Sequence, residues 1–230
     1  MRYVVCLWAV GGMLLHGRQK KGAEHMEFTD RHDAGRQLAA ALERYRGATD
    51  AVVLGVPRGG VVVAAQVAEA LRLPLDIVVT RKIGAPGNPE YAVAAVDGDG
   101  TVTVGFVAGV PEGYLERAAT TEQAEVARRV AAYRGGRPVL DLAGKTALDV
   151  DDGIATGLTL RAAVSYLRRS GAKRVVIAAP VAAPDSAARL RQEADDVVTL
   201  AEPPGFSAVG QFYERFDQTS DAEVRALLQN

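Results

Sequence analysis

The sequence is poor in the residues that define several classes of protein. It has one cysteine in 230 residues, so no disulfide can form within the chain. The three histidines, His16, His25 and His32, all lie near the N-terminus, and no Gly-x-Ser-x-Gly sequence occurs. A serine hydrolase triad and a zinc site of cysteine and histidine are therefore disfavoured. A single cysteine fits a reducing compartment, and we expect a cytoplasmic protein.

Net charge and long apolar runs are scarce as well. The formal net charge is -1, which gives no basic field for nucleic acid, so we expect no nucleic-acid partner. The apolar run at residues 4–15 is shorter than the roughly 20 residues that cross a bilayer, so we expect no membrane partner. We expect residues 1–25 to be an extension outside the fold and residues 26–230 to form one domain.

The rest of the chain alternates between strand-like and helix-like segments. Strands are predicted at residues 51–55, 75–80, 145–150, 174–179 and 197–200, and helices at 30–46, 60–71, 158–169, 184–193 and 221–228. This order predicts an α/β fold with a mainly parallel central sheet and helices on both faces. Residues 81–90 read as a Gly/Pro loop, and residues 92–96 and 101–104 as a hairpin. The long helical stretch 111–133 and the C-terminal tail are candidates for a small hood.

The stretch TALDVDDGIATGLT at residues 146–159 carries the most chemistry. An apolar strand ends in Asp151 and Asp152, and a loop bracketed by Gly153 and Gly157 leads into a helix. Open α/β sheets bind ligands at the carboxyl ends of their strands. Carboxylates accept hydrogen bonds from ribose hydroxyls, and loop amides with a helix N-terminus bind phosphate. The order therefore suits a sugar phosphate.

This stretch resembles the phosphoribosyl pyrophosphate (PRPP) signature of type I phosphoribosyltransferases. Three further segments resemble one bacterial subgroup of that family: VPRGGV at 56–61, RKIGAPGNPE at 81–90 and FSAVGQFY at 206–213. The resemblance implies the type I fold and transfer of the 5-phosphoribosyl group from PRPP to a nitrogen acceptor, as in nucleotide metabolism. A nucleobase acceptor, release of pyrophosphate and a homodimer are implied as well.

The resemblance also implies roles for individual residues. Asp151 and Asp152 would bind the ribose hydroxyls, directly or through water on Mg²⁺, the expected cofactor, which PRPP oxygens would mostly hold. The 5-phosphate would be bound by Gly153, Ile154, Ala155, Thr156, Gly157 and Thr159. The pyrophosphate would be bound by Arg58, Gly59, Gly60, Arg81 and Lys82, and Lys82 is also assigned to catalysis with the acidic pair. The family often has a strained or cis peptide in the pyrophosphate loop, expected here at Arg58–Gly59.

The acceptor is less well defined by the sequence. Enzymes of the family that act on 6-oxopurines have a third acid where this chain has Ala155, and alanine cannot exchange a proton with a purine nitrogen. Hypoxanthine and guanine are therefore disfavoured. Four aromatic residues near the C-terminus could stack on a base or pack in the core: Phe206, Phe212, Tyr213 and Phe216.

Asp149 departs from the family pattern, which has an apolar residue there. A carboxyl group inside a central strand needs a partner or must stay protonated. It also creates a resemblance to Asp-x-Asp phosphatases of the haloacid dehalogenase type, with Asp149 as nucleophile and Asp151 as acid/base beside Mg²⁺. The two strand–helix units that precede the motif argue against this. A PRPP-binding regulator without catalysis is the other alternative.

Overall fold

The computed structural model describes residues 27–229, so the predicted N-terminal extension lies outside the described residues. The strands are β1 Ala51–Gly55, β2 Leu75–Ile77, β3 Arg81–Ala85, β4 Asn88–Val96, β5 Val102–Val104, β6 Thr146–Val150, β7 Arg174–Val181 and β8 Asp196–Ala201. The helices are α1 Arg31–Ala41, α2 Gly59–Leu71, α3 Tyr114–Arg134, α4 Leu158–Arg169, α5 Pro184–Glu193 and α6 Asp221–Gln229. Two short 3-10 helices lie at Glu43–Tyr45 and Val209–Phe212.

A five-stranded parallel sheet forms the centre of the fold, in the order β2-β1-β6-β7-β8. Its strands are nearly continuous runs of valine, alanine, leucine and isoleucine, as expected where both faces are covered. On one face, Val52 and Leu54 belong to a core cluster with α4 and α5. On the other face, Ala51 and Val53 belong to a cluster with α1 and α2. The predicted α/β fold with helices on both faces is confirmed.

The prediction of a loop at residues 81–90 is wrong. This segment forms β3 and the start of β4, in a three-stranded antiparallel sheet of order β3-β4-β5. Ala85 pairs with Asn88, and Pro86 and Gly87 make the turn between them, with Gly87 at φ 75°. Proline followed by a left-handed glycine is typical of a type II turn. The Gly/Pro pair therefore marks a hairpin, and residues 81 and 82 begin β3 instead of ending the strand before it.

The second sheet is attached to the first through α4. The side chains of Ala92 and Ala95 on β4 pack against Leu158 and Ala162 of α4. At the far end of the same strand, Asp97 is fully buried and accepts a hydrogen bond from Arg169, in the last turn of α4. Its other oxygen accepts from two backbone amides of the β4–β5 turn. The hairpin sheet is thus tied to both ends of α4.

The two segments predicted to form a hood lie together beside the β2 edge. Val126 and Tyr133 of α3 share a core cluster with Val224 of α6, Ile77 of β2 and Val96 of β4. The Tyr133 hydroxyl also donates to the Asp221 carboxylate at 2.8 Å. Within residues 27–229, no helix is both long and apolar enough to cross a bilayer.

Asp149 is a carboxyl group in the middle of the core. It lies in β6 between Leu54 of β1 and Ile177 of β7, and its exposed fraction is 0%. Among the described residues, neither of its carboxyl oxygens has a hydrogen-bond partner. Burial raises the pKa of this carboxyl well above its ordinary value, so the core favours the neutral form of this side chain.

We predict that Asp149→Leu increases the free energy of unfolding by about 1–3 kcal/mol at neutral pH, because an unsatisfied buried polar group is removed. The raised pKa sets the sign of the pH dependence. The folded state holds a proton that the unfolded state releases above pH of about 4, so native stability falls as pH rises from there towards the folded pKa. The gain from Asp149→Leu should therefore be larger at pH 8 than at pH 5 in urea titrations. Asp149→Asn should remove only the pH dependence of the free energy of unfolding that comes from this residue. If Asp149→Leu increases the free energy of unfolding equally at both pH values, this account is contradicted.

Candidate active site

The acidic pair lies at the carboxyl edge of the parallel sheet. Asp151 and Asp152 directly follow β6, which pairs in register with β1, so that Gly55 lies opposite Val150. The loops that follow these two strands therefore start side by side. The backbone amide of Asp152 donates to the Asp151 carboxylate at 2.8 Å, and the Tyr213 hydroxyl donates to the Asp152 carbonyl at 2.6 Å.

The loop after β1 packs its backbone directly against the two carboxyl groups. A Cβ atom on Gly59 would overlap the Asp152 carboxylate, and one on Gly60 would lie 2.8 Å from Asp151 Oδ1. Only residues without a side chain fit this close approach. The cis peptide expected in this loop lies at Pro57–Arg58, one residue earlier than predicted.

The two carboxyl groups differ in their surroundings. Burial raises the pKa of Asp151 well above its ordinary value, and the neighbouring Asp152 charge raises it further. Burial also raises the pKa of Asp152, but Arg31 opposes this with an ion pair of 2.7 Å between Nε and Oδ2. The pair is therefore short of positive counter-charge, a setting that favours a cation or hydrogen-bond donors.

The predicted phosphate loop is anchored through its backbone. Ile154 is buried, its amide donates to the Val181 carbonyl at 2.8 Å, and its own carbonyl accepts from Ala183 at 2.8 Å. Its side chain therefore belongs to the core and its amide is already bonded to Val181, so Ile154 anchors the loop and has no free donor for phosphate. Ala155 and Thr156 are exposed, and Gly157, at φ 73°, turns the chain into α4. Thr159 lies in the first turn of α4 and is half-buried, where the helix leaves amide groups without intrahelical partners.

The three basic residues of the predicted pyrophosphate site lie in three different environments. Arg58 is the last residue before α2, next to the glycines that contact the acids, and lies 3.7 Å from Asp221 of α6. Arg81 donates to Glu122 of α3 at 2.7 Å. Lys82 pairs with Ala95, whose side chain faces α4, so Lys82 lies on the α4 side of β3. Because side chains alternate along a strand, Arg81 lies on the opposite side. Of the two adjacent cations, Lys82 is thus on the face of the phosphate-loop helix.

The aromatic residues near the C-terminus mostly pack in the core. Phe212 and Tyr213 are buried with Phe28, and Phe206 packs against Phe212 at 5.4 Å between ring centroids. Phe216 keeps 37% exposure, and its ring face is covered by the Arg31 guanidinium at 3.8 Å. Of the two alternatives left open, packing therefore applies to Phe212 and Tyr213.

Three residues at this site were missed from the sequence. Arg31 reaches Asp152 across 121 positions, Asp221 meets Arg58, and the buried Ser186 donates to the Ala155 carbonyl at 2.6 Å. Each acts through tertiary contact, and no local motif marks it. For Ser186 alone there is a weak signal, because it follows Pro184 at the start of α5.

We predict that Gly59→Ala lowers the free energy of unfolding by about 1–3 kcal/mol, because the new methyl group overlaps the Asp152 carboxylate and the ion pair of Asp152 with Arg31 must shift. Denaturant unfolding of the purified variant measures the loss. Gly205→Ala is the matched control, since a Cβ atom there meets nothing within 4 Å. Equal stability of the two variants would show that the loop does not press on the acids.

Several known proteins and one family model are similar to this chain. The family model described as the phosphoribosyl transferase domain matches residues 27–214. A protein of Mycobacterium tuberculosis (strain H37Rv), named "Putative phosphoribosyl transferase Rv0571c", is 47% identical over 208 residues, which cover 87% of this chain and 46% of that protein. The chain thus spans about half the length of this curated relative.

A solved structure is similar over nearly its whole length. The crystal structure of TT1426 from Thermus thermophilus is 43% identical, with a TM-score of 0.75, and the match covers 88% of this chain and 98% of that one. With the two loops at one sheet edge and the match over residues 27–214, the chain belongs to the phosphoribosyl transferase domain family.

Proposed function

We propose that this protein is a phosphoribosyltransferase that moves the 5-phosphoribosyl group of PRPP to a nitrogen acceptor and releases pyrophosphate. One observation carries the proposal. The glycine backbone after β1 lies against the carboxyl groups after β6, and the phosphate loop continues from those same carboxyl groups. A ligand bound there would meet ribose-binding, phosphate-binding and pyrophosphate-binding groups at once.

Each part of the site has a chemical task in this proposal. The amides at the start of α4, with the hydroxyls of Thr156 and Thr159, hold the 5-phosphate. Asp151 and Asp152 accept hydrogen bonds from the ribose hydroxyls and stabilise the positive charge that develops on the ribose ring as pyrophosphate leaves. The departing pyrophosphate is met by the amides of Gly59 and Gly60.

Cations complete the charge balance. Arg58, Arg81 and Lys82 are the cations that we assign to the leaving group, with Arg58 beside Asp221, Arg81 paired with Glu122 and Lys82 on the α4 side of β3. Mg²⁺ would supply further positive charge to the pyrophosphate, and the acidic pair, short of counter-charge, suits it through bound water.

We propose a nucleobase as the acceptor, in nucleotide metabolism in the cytoplasm, with no nucleic-acid or membrane partner and with a homodimer as the assembly. The exposed Ala155 offers no proton-exchanging group to the acceptor. A 6-oxopurine of the hypoxanthine or guanine type is therefore disfavoured, because its reacting nitrogen would need such a group.

The phosphatase alternative is disfavoured by the position of Asp149. A nucleophilic carboxylate must be ionised and must reach its substrate. Both carboxyl oxygens of Asp149 are buried in the sheet core, and burial raises the pKa of this group well above its ordinary value. Asp149 lies inside β6, before the carboxyl end of the strand where a substrate would bind.

The test is a panel of purified protein, PRPP, Mg²⁺ and each common nucleobase in turn, with pyrophosphate release as the signal. We expect release with at least one base and none without Mg²⁺. Asp151→Asn and Asp152→Asn should each lower kcat by roughly a hundredfold or more, as expected when one charge-stabilising group is lost.

The panel also separates the alternatives. PRPP binding without pyrophosphate release from any base would favour the regulator. Failure of the native protein to bind PRPP by isothermal titration calorimetry would contradict the proposal as a whole. Asp149→Leu should retain transfer activity, whereas a phosphatase with Asp149 as nucleophile would lose its activity.

A further inference from the structure

Arg31 is a cation in direct contact with the acidic pair. Its Nε donates to Asp152 Oδ2 at 2.7 Å, and its Nη1 donates to the Asp217 carbonyl at 2.7 Å. The central carbon of its guanidinium lies over the Phe216 ring, 3.8 Å from the ring centroid. Its side chain is only 12% exposed. Arg31 is therefore fixed at two nitrogens and on one face.

The segment that fixes Arg31 also holds the backbone of the acidic pair. Tyr213 donates its hydroxyl to the Asp152 carbonyl, and its ring packs on Phe216 at 5.0 Å between centroids. Residues 213–217 thus hold Asp152 in two ways. They bind its carbonyl directly, and they hold Arg31, which binds its carboxylate. We call these residues the C-terminal strap.

We propose that Arg31, held by the C-terminal strap, is a positioning residue that sets the orientation of the Asp152 carboxylate for the ribose hydroxyls of PRPP. The Asp152 carboxylate accepts one hydrogen bond from a guanidinium that is itself held by the Asp217 carbonyl and the Phe216 ring, so this donor has a fixed direction that a flexible ammonium group would lack. This inference rests on the proposed function, since it names a residue that prepares the ribose end of that same site.

A direct role in binding pyrophosphate is the competing assignment. Arg31 lies close to Gly59, at the start of the proposed pyrophosphate loop. Two of its nitrogens already donate to Asp152 and to the strap, and its ring contact with Phe216 covers one face. These bonds would have to break before Arg31 could turn to pyrophosphate, so we assign it to the ribose end.

The test measures the two ends of the site separately. Calorimetric titrations with PRPP, ribose 5-phosphate and inorganic pyrophosphate are compared for the native protein, Arg31→Lys and Arg31→Ala. We expect the variants to bind PRPP and ribose 5-phosphate on the order of tenfold more weakly, because a charge-assisted hydrogen-bond network is lost, and to bind pyrophosphate unchanged. Arg36→Ala removes an exposed arginine of the same helix and should change none of the three.

Chemical rescue gives a second readout that a purely structural role would not show. Arg31 lines a cavity of about 190 Å³ with Val62, Asp217 and Thr219, so a small cation can reach the vacated position in Arg31→Ala. Guanidinium well below denaturing concentration should restore ribose 5-phosphate binding, and potassium at equal ionic strength should not. If Arg31→Ala fails to fold, the same three titrations are compared for Arg31→Lys and Phe216→Leu. Both of these variants keep a positive charge at position 31.

Each result of these titrations either supports or contradicts the assignment of Arg31 to the ribose end of the site. Equal weakening for ribose 5-phosphate and pyrophosphate, or weakening confined to pyrophosphate, would overturn the assignment. Native-like ribose 5-phosphate binding by both Arg31 variants would do the same while leaving the proposed function intact. If the native protein binds none of the three compounds, the proposed function fails and the role of Arg31 fails with it.

Discussion

The structure depends on the close approach of the Gly59–Gly60 backbone to the carboxyl groups of Asp151 and Asp152. Because β1 and β6 are parallel neighbours in register, the loops that follow them leave the sheet at the same point. Each loop then opens a helix, α2 or α4, whose first amides have no partner within the helix. Two helix N-termini thus flank one pair of acids, and this arrangement supports the proposal of a donor with phosphate at both ends of a sugar.

Local sequence predicted the elements that have clear end signals. Helices α4 and α5 have the predicted bounds, since Gly157 directly precedes α4 and Pro184 is the first residue of α5. The hairpin of β3 and β4 was not predicted, because a Pro-Gly turn and a Gly/Pro loop look alike until the pairing partner is known. The separation of Arg81 from Lys82 depends on that hairpin, and so it could not be predicted either.

The roles of the carboxyl groups near the end of β6 could not be assigned from the sequence either. Asp149 and Asp151 are two positions apart, and sequence alone gave both of them catalytic roles in one or another scheme. The sheet places Asp149 between two neighbouring strands and Asp151 beyond the strand end, beside the loop after β1. Which carboxyl group meets a ligand is therefore decided by where the strand ends. The partner of Asp152 was hidden for a similar reason, since Arg31 comes from a helix at the start of the described chain.

The attachment of the hairpin sheet to both ends of α4 has a consequence for the size of molecule that the site accepts. Ala92 and Ala95 hold the first turns of α4, and Asp97 holds Arg169 at the last turn. The strand that carries Lys82 therefore cannot slide along the helix that begins at the phosphate loop. Under the proposed function, the distance between the residues assigned to the 5-phosphate and those assigned to pyrophosphate is therefore fixed, and compounds whose charged groups are spaced more closely or more widely should bind less well.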